Sequence, residues 1–259
     1  MLITSKDNDF IKHLKKLKDK KYREEYGEFI VEGIKMIQEA IDEKAIIKDI
    51  IVCDDCKNQE YFSKEFLYEI AKYNCIYVTE KVFLQITDVT NPQGILAVID
   101  RKKIDSDINY DSDLFLILDN IQDPGNMGTI LRTADSINLK QIIVAKGTAD
   151  IYNPKVVRST MGAIFRVKVI EIEDLTKVVN EMKKRKIKVY ATDLATNSSI
   201  YDVDYKKSAI IIGNEANGVS KQLLDLADQK IKIPMIGKTE SLNAAVATGI
   251  ILYEAVRTK

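Results

Sequence analysis

The chain is poor in the residues that build metal sites or disulfide frameworks. Its 259 residues hold three cysteines, Cys53, Cys56 and Cys75, and a single histidine, His13. Cys53-Asp54-Asp55-Cys56 has C-x-x-C spacing, but a zinc site needs about four ligands and the lone His13 is far away in sequence. The pair follows an apolar run and does not open a helix as a redox motif would, so reduced thiols are the expectation. Net charge is absent too: 39 basic and 39 acidic side chains cancel. Bulk attraction to nucleic acid is therefore no argument, and only the distribution of charge can speak. No apolar run suits a bilayer, because the longest, Leu242 to Val256, is interrupted by Asn243, Thr248, Tyr253 and Glu254. Residues 1–16 are too charged for a secretory signal. The expectation is a cytoplasmic protein with no membrane partner. Internal repeats, low-complexity tracts and the G-x-G-x-x-G fingerprint are all missing, which excludes solenoids and argues against a Rossmann-type cofactor pocket.

What is present is an ordinary globular composition, 46% hydrophobic and 30% charged, long enough for one large or two modest domains. The polar stretch at 101–113 divides the chain, giving expected domains of 1–104 and 105–259. In the first, strand-like runs at 46–52, 75–78 and 94–99 mix with helical spacing at 5–18, 33–42 and 62–72. In the second, apolar strands at 114–118, 142–145, 187–191, 209–212 and 231–233 alternate with helices at about 127–138, 153–163, 173–186, 219–228 and 241–257. That alternation predicts an α/β domain with a parallel sheet, and in such sheets ligands bind beyond the carboxyl ends of the strands.

Two basic clusters stand out. Lys12, Lys15, Lys16, Lys18, Lys20, Lys21 and Arg23 are opposed by Asp19, Glu24 and Glu25; Lys183, Lys184, Arg185, Lys186 and Lys188 form the other. Either can track a phosphate backbone or simply be a solvated helix face.

Three strand-to-helix loops carry candidate chemistry. In the first, Pro124-Gly125 forces a turn, Asn126 reads as the cap of the following helix, and Arg132 sits on a small, polar face near the helix start. Such an arginine meets a phosphate or pairs with Asp135, and spacing leaves both open. In the second, Gly213 closes an apolar strand, where a missing side chain lets a ligand approach, and Glu215 follows. In the third, Pro234 ends a strand, Gly237 turns the chain, and Ser241 reads as the cap of a helix of small residues. Ile233, Met235 and Leu242 there can sandwich a flat ring or can be plain core.

Together N-x-G-x-x-x-R-T-A at 126–134, G-N-E-x-x-G-V-S at 213–220 and I-P-M-x-G-x-x-x-S-L-N-x-x-V-A at 233–247 resemble the SpoU (TrmH-like) branch of the SPOUT methyltransferases, over residues 114–257. More loosely, Lys20-Lys21-Tyr22-Arg23, Gly27 to Gly33 and Pro92-Gln93-Gly94 resemble the small RNA-binding domain of many members. A departure is Thr160 before Met161-Gly162-Ala163, where relatives often have Ser. The resemblance implies a deep trefoil knot in the C-terminal parallel-sheet domain, an exception to the rule against knots, and a smaller α/β RNA-binding domain before it. It also implies a homodimer and S-adenosylmethionine as cofactor, held by Thr192, Leu194, Gly213, Ile233 and Leu242. The implied activity is methylation of a ribose 2′-hydroxyl in structured RNA, ribosomal in preference to transfer RNA. Residues 12–23 would make the contact.

The implied catalytic set is Arg132, Asn126, Glu215, Ser241 and Asn243. A 2′-hydroxyl is a weak nucleophile and needs alignment and loss of its proton. A guanidinium is a poor base, with a pKa above about 12, so Arg132 either takes the proton in a special environment or orients phosphate and hydroxyl. The rival readings are a non-catalytic RNA-binding protein of the same fold and an unrelated phosphate-handling enzyme using Gly125 and Arg132.

Overall fold

The computed structural model describes residues 2–55, 62–101 and 107–257; Cys56 lies outside them, so the C-x-x-C pair is not described as such. The chain forms two compact units. One joins Met1–Lys103 with Asp150–Phe165, the other joins Ile104–Ala149 with Arg166–Lys259. The N-terminal unit thus takes a segment from inside the stretch expected to form the second domain.

The reason is packing and one buried charge. Tyr152 lies on Phe29 with ring centroids 4.7 Å apart, and Val157 is buried in the same cluster as Phe29, Val31, Ile37 and Ile50. Arg23, 2% exposed, donates to the Leu17 and Lys18 carbonyls at 2.8 and 2.6 Å. Its Nε and Nη2 both donate to Asp150 Oδ2, at 3.2 and 2.6 Å. A buried guanidinium needs such a partner, and here the partner is supplied from far along the chain.

The sheet of this unit has the order β1-β4-β3-β5-β2, with β1 (Leu2–Ile3), β2 (Glu28–Glu32), β3 (Ile47–Cys53), β4 (Cys75–Val78) and β5 (Ile95–Asp100). β1, β4 and β3 run parallel, while β5 is antiparallel to both its neighbours. Helices α1 (Asp9–Lys16), α2 (Lys20–Tyr26), α3 (Ile34–Asp42), α4 (Lys64–Ile70) and α5 (Glu80–Phe83) complete it with the borrowed segment. The Pro92-Gln93-Gly94 stretch has a structural task. Gln93 Oε1 accepts the Ile34 N–H at 3.0 Å, capping α3, and comes so near Gly33 (φ +94°) that a Cβ there would lie 2.9 Å from it.

The second unit is a six-stranded, all-parallel sheet in the order β11-β9-β10-β6-β7-β8. The strands are β6 (Leu114–Asp119), β7 (Gln141–Ala145), β8 (Lys168–Ile172), β9 (Lys188–Thr192), β10 (Ser208–Gly213) and β11 (Gln229–Ile231). Central strands β6, β7 and β10 are buried along their whole length, as parallel strands covered on both faces must be. β8 escaped the sequence reading because it lies at the sheet edge, half-buried, with Lys168 and Glu171 breaking its apolar run. β11 ends at Ile231, earlier than expected. Lys232 leaves the sheet to pair with the 198–200 segment: its N–H donates to the Ser198 carbonyl at 2.9 Å, and the Ile200 N–H donates to its carbonyl at 3.0 Å. The helices are α6 (Pro124–Ser136), α7 (Pro154–Thr160) and α8 (Ala163–Arg166), of which α7 wholly and α8 up to Phe165 belong to the borrowed segment, then α9 (Leu175–Lys184), α10 (Lys221–Leu226) and α11 (Ala244–Arg257). Leu175, Val178 and Met182 of α9 and Leu223 of α10 pack with Phe115, Ile117, Ala209 and Ile211, while α11 lies on α6 and β10.

Candidate active site

All six strands of the second unit point one way, so their carboxyl ends share one edge. Beyond it three loops meet, although they are far apart in sequence. The pivot is Asn126. It was expected to cap α6, but the cap is Asp123, whose Oδ1 accepts the Asn126 N–H at 2.8 Å, with Pro124 in the first turn. Proline needs no N–H partner and is preset for that position. Asn126 therefore lies inside the helix, buried, with its side chain free for other work. Its Nδ2 donates to Glu215 Oε1 at 2.8 Å, and its Oδ1 accepts from Asn243 Nδ2 at 2.8 Å.

Asn243 corrects a second expectation. It, and not Ser241, caps α11: its Oδ1 accepts the N–H groups of Ala245 and Val246 at 3.0 and 3.3 Å. Ser241 is exposed and makes no hydrogen bond among the described residues, so it stands apart from this network. Glu215 also accepts from the backbone of Gln122 and Asp123 at 3.3 and 3.4 Å. Burial pushes its carboxyl up, but the Asn126 amide and the surrounding backbone N–H groups outweigh that and hold it below the usual carboxylate range.

Gly213 corrects a third. The space left by its missing side chain is taken by the chain itself. A Cβ there would lie 2.0, 2.1 and 2.3 Å from Gly218 C, Val219 N and Gly218 O. The 214–218 loop folds back through a pair of bonds, Asn214 N–H to Gly218 O at 3.0 Å and Gly218 N–H to Asn214 O at 2.9 Å, with Gly218 at φ +66°. Asp119, 5% exposed at the end of β6, anchors the far side by accepting the Ser220 N–H at 2.8 Å. Asn214 Nδ2 donates to the Asn120 carbonyl at 2.8 Å. Sequence reasoning missed Asp119 and Asn214. The available signal was a carboxylate closing the fully buried run Leu114 to Leu118.

Arg132 lies six residues, about 1.7 turns, along α6 from Asn126. Its side chain is exposed and makes no hydrogen bond or ion pair among the described residues. Its anticipated structural partner is engaged elsewhere: Asp135 takes both Arg166 Nε, at 3.1 and 3.0 Å, and Nη2, at 2.9 Å. Thr192 closes β9, with its hydroxyl donating to the Ile211 carbonyl at 3.1 Å, and Leu194 follows, 62% exposed. Ile233 and Leu242 flank a segment, 233–242, that makes no hydrogen bond among the described residues; both are half-buried. Thr192, Leu194, Gly213 and Ile233 thus sit at or beyond the ends of the neighbouring strands β9, β10 and β11.

Other expectations resolve as scaffold. The Thr160 hydroxyl donates to the Val157 carbonyl at 2.7 Å and is fully buried. The second basic cluster is largely neutralised: Lys183 pairs with Asp228 at 3.2 Å, Lys184 and Arg185 with Glu181 at 3.6 and 2.9 Å. Cys53 is buried at the end of β3. No helix among the described residues is long and apolar enough to cross a membrane.

A parallel α/β sheet with a polar network tying three loops beyond its carboxyl edge, and on the helix that carries Asn126 an arginine unpaired among the described residues, defines a ligand-binding α/β enzyme domain. Residues 113–253 match the SpoU rRNA Methylase family, and the chain belongs to that family. Residues 8–97 match the MRM3-like substrate binding domain. The chain is 34% identical over 254 residues to the 23S rRNA (guanosine(2553)-2'-O)-methyltransferase RlmP of Bacillus subtilis, covering 97% of each chain. It is 30% identical over 266 residues to the 23S rRNA (uridine(2479)-2'-O)-methyltransferase of Streptomyces viridochromogenes, covering 99% of this chain and 92% of that one. Among solved structures, the SpoU methyltransferase AviRb from Streptomyces viridochromogenes in complex with AdoMet superposes with a TM-score of 0.85 at 28% identity, covering 96% of this chain and 97% of that chain.

Proposed function

We propose that this chain is an S-adenosylmethionine-dependent RNA methyltransferase that methylates a ribose 2′-hydroxyl, with ribosomal RNA as its substrate. The observation that carries this is the Asn126–Glu215–Asn243 network together with Arg132 on the same helix α6, its guanidinium exposed and unpaired among the described residues, in a family whose relatives at 34% and 30% identity are 23S rRNA 2′-O-methyltransferases.

The residues beyond β9, β10 and β11 suit S-adenosylmethionine. Exposed Leu194 and half-buried Ile233 and Leu242 offer apolar surface to an adenine ring, and the main chain of 233–242 has N–H and C=O groups not used internally. Thr192, Leu194, Ile233 and Leu242 would hold the cofactor, which supplies a methyl group on a sulfonium sulfur, with Gly213 letting the 214–218 loop fold close enough to wall the pocket. Arg132 would present its donors to a phosphate and the attacking oxygen, lining that oxygen up for in-line displacement, in which the new C–O bond forms as the C–S bond breaks, the neutral thioether leaves and the hydroxyl proton passes to water. Asn126, Glu215 and Asn243 keep α6 and the two loops in register. Ser241, exposed and without an internal partner, is left to meet the RNA.

Three finer features belong to the same reading. The chain after β11 threads a trefoil knot; the placing of β10 between β9 and β6, with α11 returning to α6, supports it. The protein is a homodimer, with a second copy covering Val246 and Tyr253 of α11, 51% and 53% exposed. It works in the cytoplasm.

The test is the kinetics of Arg132→Ala and Arg132→Lys with calorimetric titration of S-adenosylmethionine. Methyl transfer should fall by roughly a hundred-fold or more in Arg132→Ala, with cofactor affinity unchanged. Full activity in both variants would sink the catalytic role. A wild-type chain that binds RNA but no S-adenosylmethionine would point instead to a non-catalytic binder.

A further inference from the structure

The basic stretch at 12–23 separates into cations already engaged and cations that are not. Lys12 meets Asp9 at 3.1 Å, Lys18 meets Asp88 at 2.7 Å, Lys20 reaches Glu24 at 3.7 Å, and Arg23 is buried on Asp150. Among the described residues the Lys15 ammonium has Gln85 Oε1 as its polar partner, at 3.5 Å. Lys16 and Lys21 are exposed and form no ion pair among the described residues, not even Lys21 with Glu25 one turn on. Both lie instead over one ring, with their Nζ atoms 5.3 and 5.6 Å from the centroid of Tyr22. Tyr22 is half-exposed and stacked on Tyr26, centroids 6.0 Å apart and planes 14° from parallel. Tyr26 leans on His13 at 4.7 Å, and His13 Nε2 is held by Glu28 Oε2 at 2.6 Å. The result is an aromatic plate braced from behind, with two ammoniums that have no carboxylate of their own.

We propose that Lys16, Tyr22 and Lys21 form a docking point for an unpaired nucleotide of the substrate RNA, its base stacking on Tyr22 and its flanking phosphates taking the two ammoniums off the ring. This rests on the reading that RNA is the substrate. An unpaired base offers a free π-face, and stacking on tyrosine is tolerant of base identity. A duplex keeps its base faces internal and cannot use the ring. An acidic peptide would satisfy the lysines and leave the ring without a partner.

The experiment is fluorescence anisotropy of the full chain with a short labelled oligoadenylate and with an RNA duplex of the same length. Tyr22→Phe should bind oligoadenylate like wild type, and Tyr22→Leu roughly five- to a hundred-fold more weakly, with duplex binding unmoved. The double variant Lys16→Gln/Lys21→Gln should reduce the slope of log affinity against log salt by about 1.4, roughly 0.7 per phosphate contact on a single strand. If Tyr22→Leu melts early, this salt slope decides, since both lysines are exposed and leave the core untouched. The proposal fails if wild type does not bind oligoadenylate, if Tyr22→Leu binds it like wild type, if the slope is unchanged, or if oligoglutamate competes as well as oligoadenylate. Methyl transfer to ribosomal RNA is read in parallel. Transfer by wild type with the KM of folded Tyr22→Leu unmoved defeats the docking point and keeps the RNA reading. Binding through Tyr22 without transfer does the reverse.

Discussion

Replacing Gly213 by alanine should do more damage than any other single methyl added to the carboxyl edge of the second sheet. The new Cβ would stand 2.0–2.3 Å from the Gly218–Val219 backbone. Ordinary carbon contacts begin near 3.5 Å, so the loop must retreat by more than 1 Å. Overpacking of this kind costs about 1–3 kcal/mol. The retreat also strains the two bonds between Asn214 and Gly218, each worth about 0.5–1.5 kcal/mol. The sum is about 2–6 kcal/mol, a large share of a domain's usual ~5–15 kcal/mol. Gly218→Ala is the matched control: its Cβ would meet nothing within 4 Å, but φ is +66°, so only the left-handed strain of about 1–2 kcal/mol applies. Scanning calorimetry should show Gly213→Ala melting well below Gly218→Ala, and Gly218→Ala only a few degrees below wild type. Glu215 sits within the displaced loop, so methyl transfer should fall in Gly213→Ala even where the chain stays folded. Equal melting of Gly213→Ala and wild type would refute the reasoning, because it would mean that the space beside Gly213 is not filled by the chain.

The Asn126–Glu215 bond predicts a change of sign with pH. In wild type the depressed Glu215 pKa contributes stability above the ordinary carboxylate range, lost as pH falls through the depressed value. Asn126→Asp puts a second carboxylate opposite Glu215, raising one of the two pKa values, so the variant should lose stability as pH rises. The gap in urea midpoint between the two proteins should widen from mildly acidic to mildly alkaline buffer; a constant gap would mean the contact is steric. Asp150→Ala strands the buried Arg23 guanidinium and should cost about 3–5 kcal/mol. The paired change Arg23→Met/Asp150→Leu should recover most of that in thermal melts, and no recovery would locate the effect in packing alone.

Buried strands were the most legible part of the fold. Runs such as Leu114 to Leu118 and Ala209 to Ile212 carry their own signal, since a parallel strand covered on both faces has nowhere to put a polar residue. Edge strand β8 and short α2 lack that signal. The site residues were legible by kind but not by partner. Asn126 and Asn243 both look like helix caps in sequence, because asparagine usually is one. Only the fold shows Asp123 relieving Asn126 of that duty, so that its amide can bridge to residues 89 and 117 positions away. Gly213 was legible as a close approach, but sequence could not say whether a ligand or the chain itself comes near. The basic stretch at 12–23 looked uniform, and its division into engaged and open cations depends on acids such as Asp88 and Asp150 brought in from outside the window.

The borrowed segment has a consequence for how the protein is made. The N-terminal unit needs Asp150–Phe165 to close its core, and a ribosome delivers those residues only after the strands β6 and β7 of the other unit. At roughly 5–20 residues per second, the first unit waits several seconds with Arg23 unpaired and Phe29 and Val31 uncovered. Birth order and folding order therefore part company: the end first to emerge cannot be first to finish.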